Sequence, residues 1–154
     1  MMATTMISRW AVLLSALWAG VLACLAALAA PSAFAVLPSA EAGRVVARML
    51  MQEAYFSLGM ACVLFAIARV VSQRASTAGT GSVLSTEILL VFGTLFCTVA
   101  GHFGIQPLMA AARVGQGPWS FGALHAASGA LFALKAILVL ILAWRFSAAL
   151  VNDR

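Results

Sequence analysis

The stretch from Phe121 to Phe146 decides most of what this chain can become, because His125, Lys135 and Arg145 are its only ionisable residues. About 20 apolar residues are enough for a helix to cross a bilayer, so this stretch spans one with length to spare. At 100° per residue, His125, Ser128, Phe132 and Lys135 share one sector about 80° wide. Leu134, Leu138 and Ile141 occupy the opposite face. A lysine at mid-membrane is costly against lipid, so the polar stripe is expected to face protein or trapped water.

Composition extends this reading to the whole chain. Its residues are 64% hydrophobic and 8% charged, whereas soluble domains are ~45–50% apolar and ~25% charged. Too few polar residues remain to cover a water-facing surface. The 154 residues suit one compact domain over 1–154 with no separate soluble part. The +5 net charge arises from nine basic and four acidic residues without any Lys/Arg run. It reads as membrane orientation and not as nucleic-acid binding.

The expected fold class is all-α: an integral membrane bundle of four transmembrane helices at about 10–30, 50–71, 84–103 and 121–146. The first run, Trp10 to Ala30, is uncharged and follows Arg9. Ala33-Phe34-Ala35 resembles a signal-peptidase site, but the apolar run exceeds the ~7–15 residues of a signal core, so a retained first helix is expected. Pro31 and Pro38 are expected to break that helix and bracket a turn at the membrane surface. Ser39 is the expected N-cap of the second helix, with Glu41 at its positive dipole end. Arg44 and Arg48 would hold the start of this helix among the headgroups, leaving Leu50 to Val71 to cross.

Arg74 to Ser82 reads as a small, polar linker, and Gly104, Pro107, Gly115, Gly117 and Pro118 predict an irregular connection before the fourth span. Leu108 to Val114 could form a short surface helix there. Two sets of small residues repeat every four positions, Ala16/Gly20/Cys24 and Gly122/Ala126/Ala130, a spacing that lets membrane helices approach closely. Counting Lys and Arg near the span ends gives five on the side of both termini and three on the other. Cytoplasmic termini in a bacterial inner membrane are therefore expected.

Six intramembrane polar residues are candidates for function: Glu53, His102, His125, Lys135, Glu87 and Ser128. Residue counting along the helices places Glu53, His102 and His125 towards the outer ends of their spans, with Glu53 and His125 level enough for a hydrogen bond. Such a group either handles protons or cations, or clamps helices together; the clamp is the favoured expectation. Lys135 comes out about 15 Å from Glu53 and about 10 Å from Glu87 in depth, so Glu87 is the nearer carboxylate. Glu87, Thr94, Thr98 and His102 form a stripe on the third span.

No catalytic residues and no metal ligands are expected. Cys24, Cys62 and Cys97 lie singly in apolar segments, with no C-x-x-C pair. Two isolated histidines match no ligand spacing, so no cofactor is expected. There is no G-x-S-x-G, no Walker loop and no H-E-x-x-H, which points away from an enzyme.

Several short motifs carry a family resemblance. Trp18-x-Gly20, Pro31-x-x-Phe34-x-x-Leu37-Pro38, Ala42-Gly43-x-Val45 and Tyr55 lead on to Pro107-x-Met109 with Arg113, and to Leu124-His125-x-x-Ser128. Together they resemble a bacterial, uncharacterised membrane family related to eukaryotic transmembrane protein 205. The resemblance implies a four-helix membrane protein whose eukaryotic relatives are associated with drug resistance and export. That family usually has an Asn where this chain has Phe132. A more distant likeness to copper-resistance membrane proteins and their haem-binding relatives lacks their histidine pattern.

These readings converge on a non-enzymatic membrane protein, either an accessory subunit or a small transport-related protein. The alternative is a metal- or haem-linked redox protein using the intramembrane histidines. Expected partners are the lipid bilayer and further copies of the chain or another membrane subunit, without nucleic acid.

Overall fold

The computed structural model describes residues 2–77, 79 and 82–152, apart from the side chains of 2–5, 151 and 152. Helix α1 (Met2–Cys24) runs through a π-helical turn (Leu25–Ala29) into α2 (Ala30–Val36). The long α3 (Ser39–Thr77) follows. Then α4 (Thr86–Thr98) passes through a second π-helical segment (Val99–Ile105) into α5 (Gln106–Arg113), and α6 (Phe121–Asn152) closes the described chain. Four continuous helical stretches are long and apolar enough to cross a membrane: Met6–Val36, Ser39–Thr77, Thr86–Arg113 and Phe121–Leu150. The protein is a multi-pass, all-α bundle.

The spans are longer than the sequence reading gave them, and proline explains two of the extensions. Pro31 does not end the first span; it sits in the first turn of α2, just beyond the π turn, and the break falls at Leu37, whose backbone is extended (φ −118°, ψ 149°) ahead of Pro38. Pro107 is likewise in the first turn of α5, just beyond the second π segment. A proline donates no N–H and crowds the carbonyl four residues back. Widening the preceding turn gives the freed carbonyls other donors, one of the adjustments by which membrane helices tolerate proline. The third span therefore continues to Arg113, and the surface helix expected at Leu108 to Val114 is its end. Gly115 (φ 74°) and Gly117 (φ 92°) make the turn that follows, in a conformation L side chains rarely adopt.

Helix α3 also starts earlier than expected. The Pro38 carbonyl accepts the N–H groups of Glu41 and Ala42, so Ser39 is already within the helix and is not its cap. At 39 residues α3 is about 58 Å long, well beyond a ~30 Å hydrocarbon core. Its last turn takes up Arg74 to Thr77 from the expected linker. Ala78, Thr80 and Gly81 of that linker, and Asp153 and Arg154 of the polar end, lie outside the described residues.

Packing runs in a ring: α1 against α3, α3 against α4, α4 against α6, and α6 against α1. This places α3 and α6 across the ring from each other. One half of the bundle is closed by an apolar core that includes Trp18, Leu22, Leu64, Ile88, Val91, Val139 and Leu142. The other half splays. Past the first π turn, α2 stays packed on α3, while α6 has α5 and the second π segment as its neighbours.

Candidate functional site

Where the halves meet, four side chains from three helices form one buried polar chain. Lys135 Nζ donates to both oxygens of Glu53, at 2.8 Å to Oε1 and 2.7 Å to Oε2. Ser57 Oγ, one turn along α3, donates to Glu53 Oε1. Trp18 Nε1 of α1 donates to Ser57 Oγ at 2.9 Å. The Lys135 and Glu53 side chains are each 5% exposed. The carboxylate thus accepts three hydrogen bonds, which is what a buried anion requires to offset its lost hydration. Two of the three ammonium donors are used here, and Nζ also stands 5.2 Å from the Phe132 ring centroid.

This pairing corrects two expectations. Glu53 does not pair with His125, and Lys135 does not reach towards Glu87. The depth difference assigned to Glu53 and Lys135 assumed a second span beginning at Leu50. With α3 starting at Ser39 and α6 at Phe121, each residue lies 14 positions into its helix, about 21 Å along it. They are level, and each lies on the inward face of its helix.

Glu87 pairs with Arg145 instead, Arg145 Nε donating to Glu87 Oε1 at 2.7 Å, in the half away from the cavity described next. The third-span stripe does not act as one unit. Thr94 and Thr98 donate their hydroxyls to carbonyls of their own helix, Val91 and Thr94 respectively.

Above the ion pair the splayed half encloses a cavity of about 1040 Å³. Leu25, Ala26, Ala30 and Phe34 of the first span form one wall, and the α3 wall runs from Ser39 through Arg44 and Leu50 to Glu53. Cys97, Thr98, Gly101, His102, Gln106, Met109 and Arg113 line it from the third span. Phe121, His125, Ser128, Gly129, Phe132 and Lys135 line it from α6. Both π-helical segments contribute lining, in keeping with the frequent placement of π-bulges at functional sites.

Five of the six candidates, Glu53, His102, His125, Lys135 and Ser128, therefore line one space, and Glu87 does not. The two histidines make ring contacts. His102 meets Tyr55 (6.1 Å between centroids) and Phe103 (4.9 Å) edge-on, and His125 stacks on Phe121 at 5.8 Å. Among the described residues, no group of three or more His, Cys, Asp or Glu side chains is placed to hold a metal ion. Nothing in this geometry points to redox chemistry.

Trp18, Arg44 and Arg113 were not among the candidates. Trp18 carried a signal, since an indole N–H far from either span end needs a buried acceptor. The arginines did not, because their place in the cavity lining depends on where the helices bend.

Fold and site together define a multi-pass four-helix membrane protein with a half-open cavity floored by an ion pair. A family model described as a domain of unknown function (DUF4149) matches residues 13–117, and the chain belongs to that family. The matched residues include Trp18, Glu53 and Ser57 and end before α6, which supplies Lys135. No curated protein and no solved structure matches the chain.

Proposed function

We propose that this chain is a small, non-enzymatic, transport-related protein of a bacterial inner membrane, with the cavity as its ligand chamber and Glu53–Lys135 as the chamber floor. One observation carries the reading: a cavity of about 1040 Å³ that ends on a buried ion pair within the spanning helices. Pockets for small molecules occupy ~300–1,000 Å³ and combine apolar walls with a few convergent polar groups, which describes this lining. Ionisable residues inside membranes commonly mark substrate or ion paths.

The resemblance to the family related to transmembrane protein 205, carried by the motifs around Pro31, Ala42 and Pro107, supports the same reading. So does the five-to-three distribution of Lys and Arg for cytoplasmic termini. Assembly into an oligomer or with another membrane subunit is supported by the two small-residue ridges. Instead of packing inside the bundle, Ala16/Gly20/Cys24 and Gly122/Ala126/Ala130 are exposed. Only 17% of the fourth span's most apolar window is buried within the chain.

The test compares cells producing wild type, Glu53→Gln or Lys135→Ala at equal membrane levels for sensitivity to a panel of amphipathic toxic compounds. Altered sensitivity to at least one compound is expected. Unchanged sensitivity together with a lower melting temperature would leave the pair a packing device and sink the transport reading. Reporter fusions after Arg113 and at the C-terminus test the orientation, for which a periplasmic C-terminus is the contrary result.

A further inference from the structure

We infer that the cavity takes an anionic phospholipid from the surrounding bilayer, its phosphate held between Arg44 and Arg113 and one acyl chain running down to Phe132. The inference rests on the reading of the cavity as a ligand chamber and adds the chemical class of what enters it.

Charge is the first argument. Besides the two histidines, the acidic and basic side chains lining the cavity are Arg44, Arg113, Lys135 and Glu53. Glu53 and Lys135 neutralise each other at the floor. Neither Arg44 nor Arg113 has a carboxylate partner among the described residues, and the Arg113 guanidinium lies over the Phe121 ring at 5.0 Å from its centroid. Glu41, three residues before Arg44 in the first turn of α3, is outside the lining, so the two guanidinium groups are the charges that the mouth turns to the cavity. Guanidinium groups bind phosphate oxygens through paired, charge-assisted hydrogen bonds, so a phosphate answers this chemistry.

Depth is the second argument. Arg44 is nine residues above Glu53 on α3, about 13 Å, and Arg113 ends the third span. The basic groups thus sit at headgroup level, and apolar wall separates them from the ion pair. Leu25, Leu50 and Phe132 present that wall to an acyl chain. A free phosphate would leave the apolar length unfilled. A fully apolar molecule would leave the arginines unanswered.

Access is the third argument. Beyond the first π turn, α2 follows α3 and leaves the side of α6, although α1 packs on α6 below. On the mouth half of α6, Gly129 lines the cavity, and Ala26 and Ala30 line it from the first span. Small side chains thus line the cavity from both spans where they part, so a lipid can enter sideways from the leaflet without crossing water.

Native mass spectrometry of the full chain in detergent, with equal phosphatidylglycerol and phosphatidylcholine added, tests this. The wild type is expected to retain one phosphatidylglycerol with at least roughly tenfold preference. Arg44→Gln/Arg113→Gln should lose about tenfold of that preference, the scale expected when charge-assisted contacts become neutral ones. Gly129→Leu should lower retention of both lipids by filling the passage. Equal retention of the two lipids, or a double arginine variant that keeps the preference, overturns the inference. So does displacement of the bound lipid by millimolar inorganic phosphate. These outcomes are independent of the compound-sensitivity test: lost lipid selectivity with altered sensitivity removes the ligand class and keeps the chamber. Selective lipid retention without altered sensitivity removes transport and keeps the lipid site.

Discussion

Glu53 and Lys135 meet because each stands 14 residues into a helix that begins at the same end of the bundle, α3 at Ser39 and α6 at Phe121. The pair closes the diagonal between two helices whose main packing is on other neighbours, so it links opposite sides of the ring. Removing one partner would leave the other charge buried and unpaired, a change costing about 3–5 kcal/mol in buried pairs. Glu53→Gln and Lys135→Met should each lower the unfolding free energy on that scale in detergent denaturation. The double variant, with no stranded charge, should recover most of the loss. A double variant no better than either single one would show that the pair is not energetically coupled.

Trp18 supports the carboxylate through Ser57 and also fills the core of the closed half. Trp18→Phe keeps most of the ring and deletes the N–H, so its cost should be about 1 kcal/mol, the usual net value of one hydrogen bond. With Trp10, Trp119 and Trp144 replaced by Phe, the remaining indole should emit at short wavelength and resist acrylamide quenching. Emission typical of solvated indole would place Trp18 outside the bundle.

The second ion pair is expected to behave differently. Arg145 and Glu87 side chains are 44% and 20% exposed, and partly exposed pairs contribute roughly 0–1 kcal/mol after screening. Arg145→Ala should therefore shift stability far less than Lys135→Met under identical conditions. Comparable losses would mean that the lipid environment desolvates the Glu87 pair as fully as the buried one.

Gly93 of α4 faces Leu138 of α6 closely enough that an added Cβ would lie 2.9 Å from Leu138 Cδ1. The obstructing atom ends a flexible side chain, so Gly93→Ala should cost about 1 kcal/mol, at the low end for overpacking. Combining it with Leu138→Ala should remove the conflict, and the two changes should then be less harmful together than summed. Strict additivity in a melting series would contradict this contact.

How far the fold could be read in advance follows from these residues. Four apolar stretches of sufficient length identify four spans whatever their packing. Their ends were harder, because proline normally stops a helix and nothing around Pro31 or Pro107 announces a π turn. The stripe His125, Ser128, Phe132, Lys135 could be drawn from helical periodicity alone, but a depth comparison between helices depends on both starting points. Placing the second span at Leu50 instead of Ser39 moved Glu53 up by 11 residues relative to α6. That single offset exchanged Lys135 for His125 as its partner. The place of Arg44 and Arg113 in the cavity lining was illegible for a related reason, since the cavity is a product of helix splay.

The two π-helical segments have a geometric consequence beyond accommodating proline. Each inserts extra residue into a turn, and in an α-helix one residue corresponds to 100° of rotation. Phe34 and Arg113 are therefore set to a different phase from the helices that lead up to them. Shortening either segment by one residue would swing its mouth residue by roughly a quarter turn about the axis and leave the apolar core beneath in register. The bundle thus behaves as a fixed base carrying two indexable sleeves, and the shape of the entrance can change without any change at its foundation.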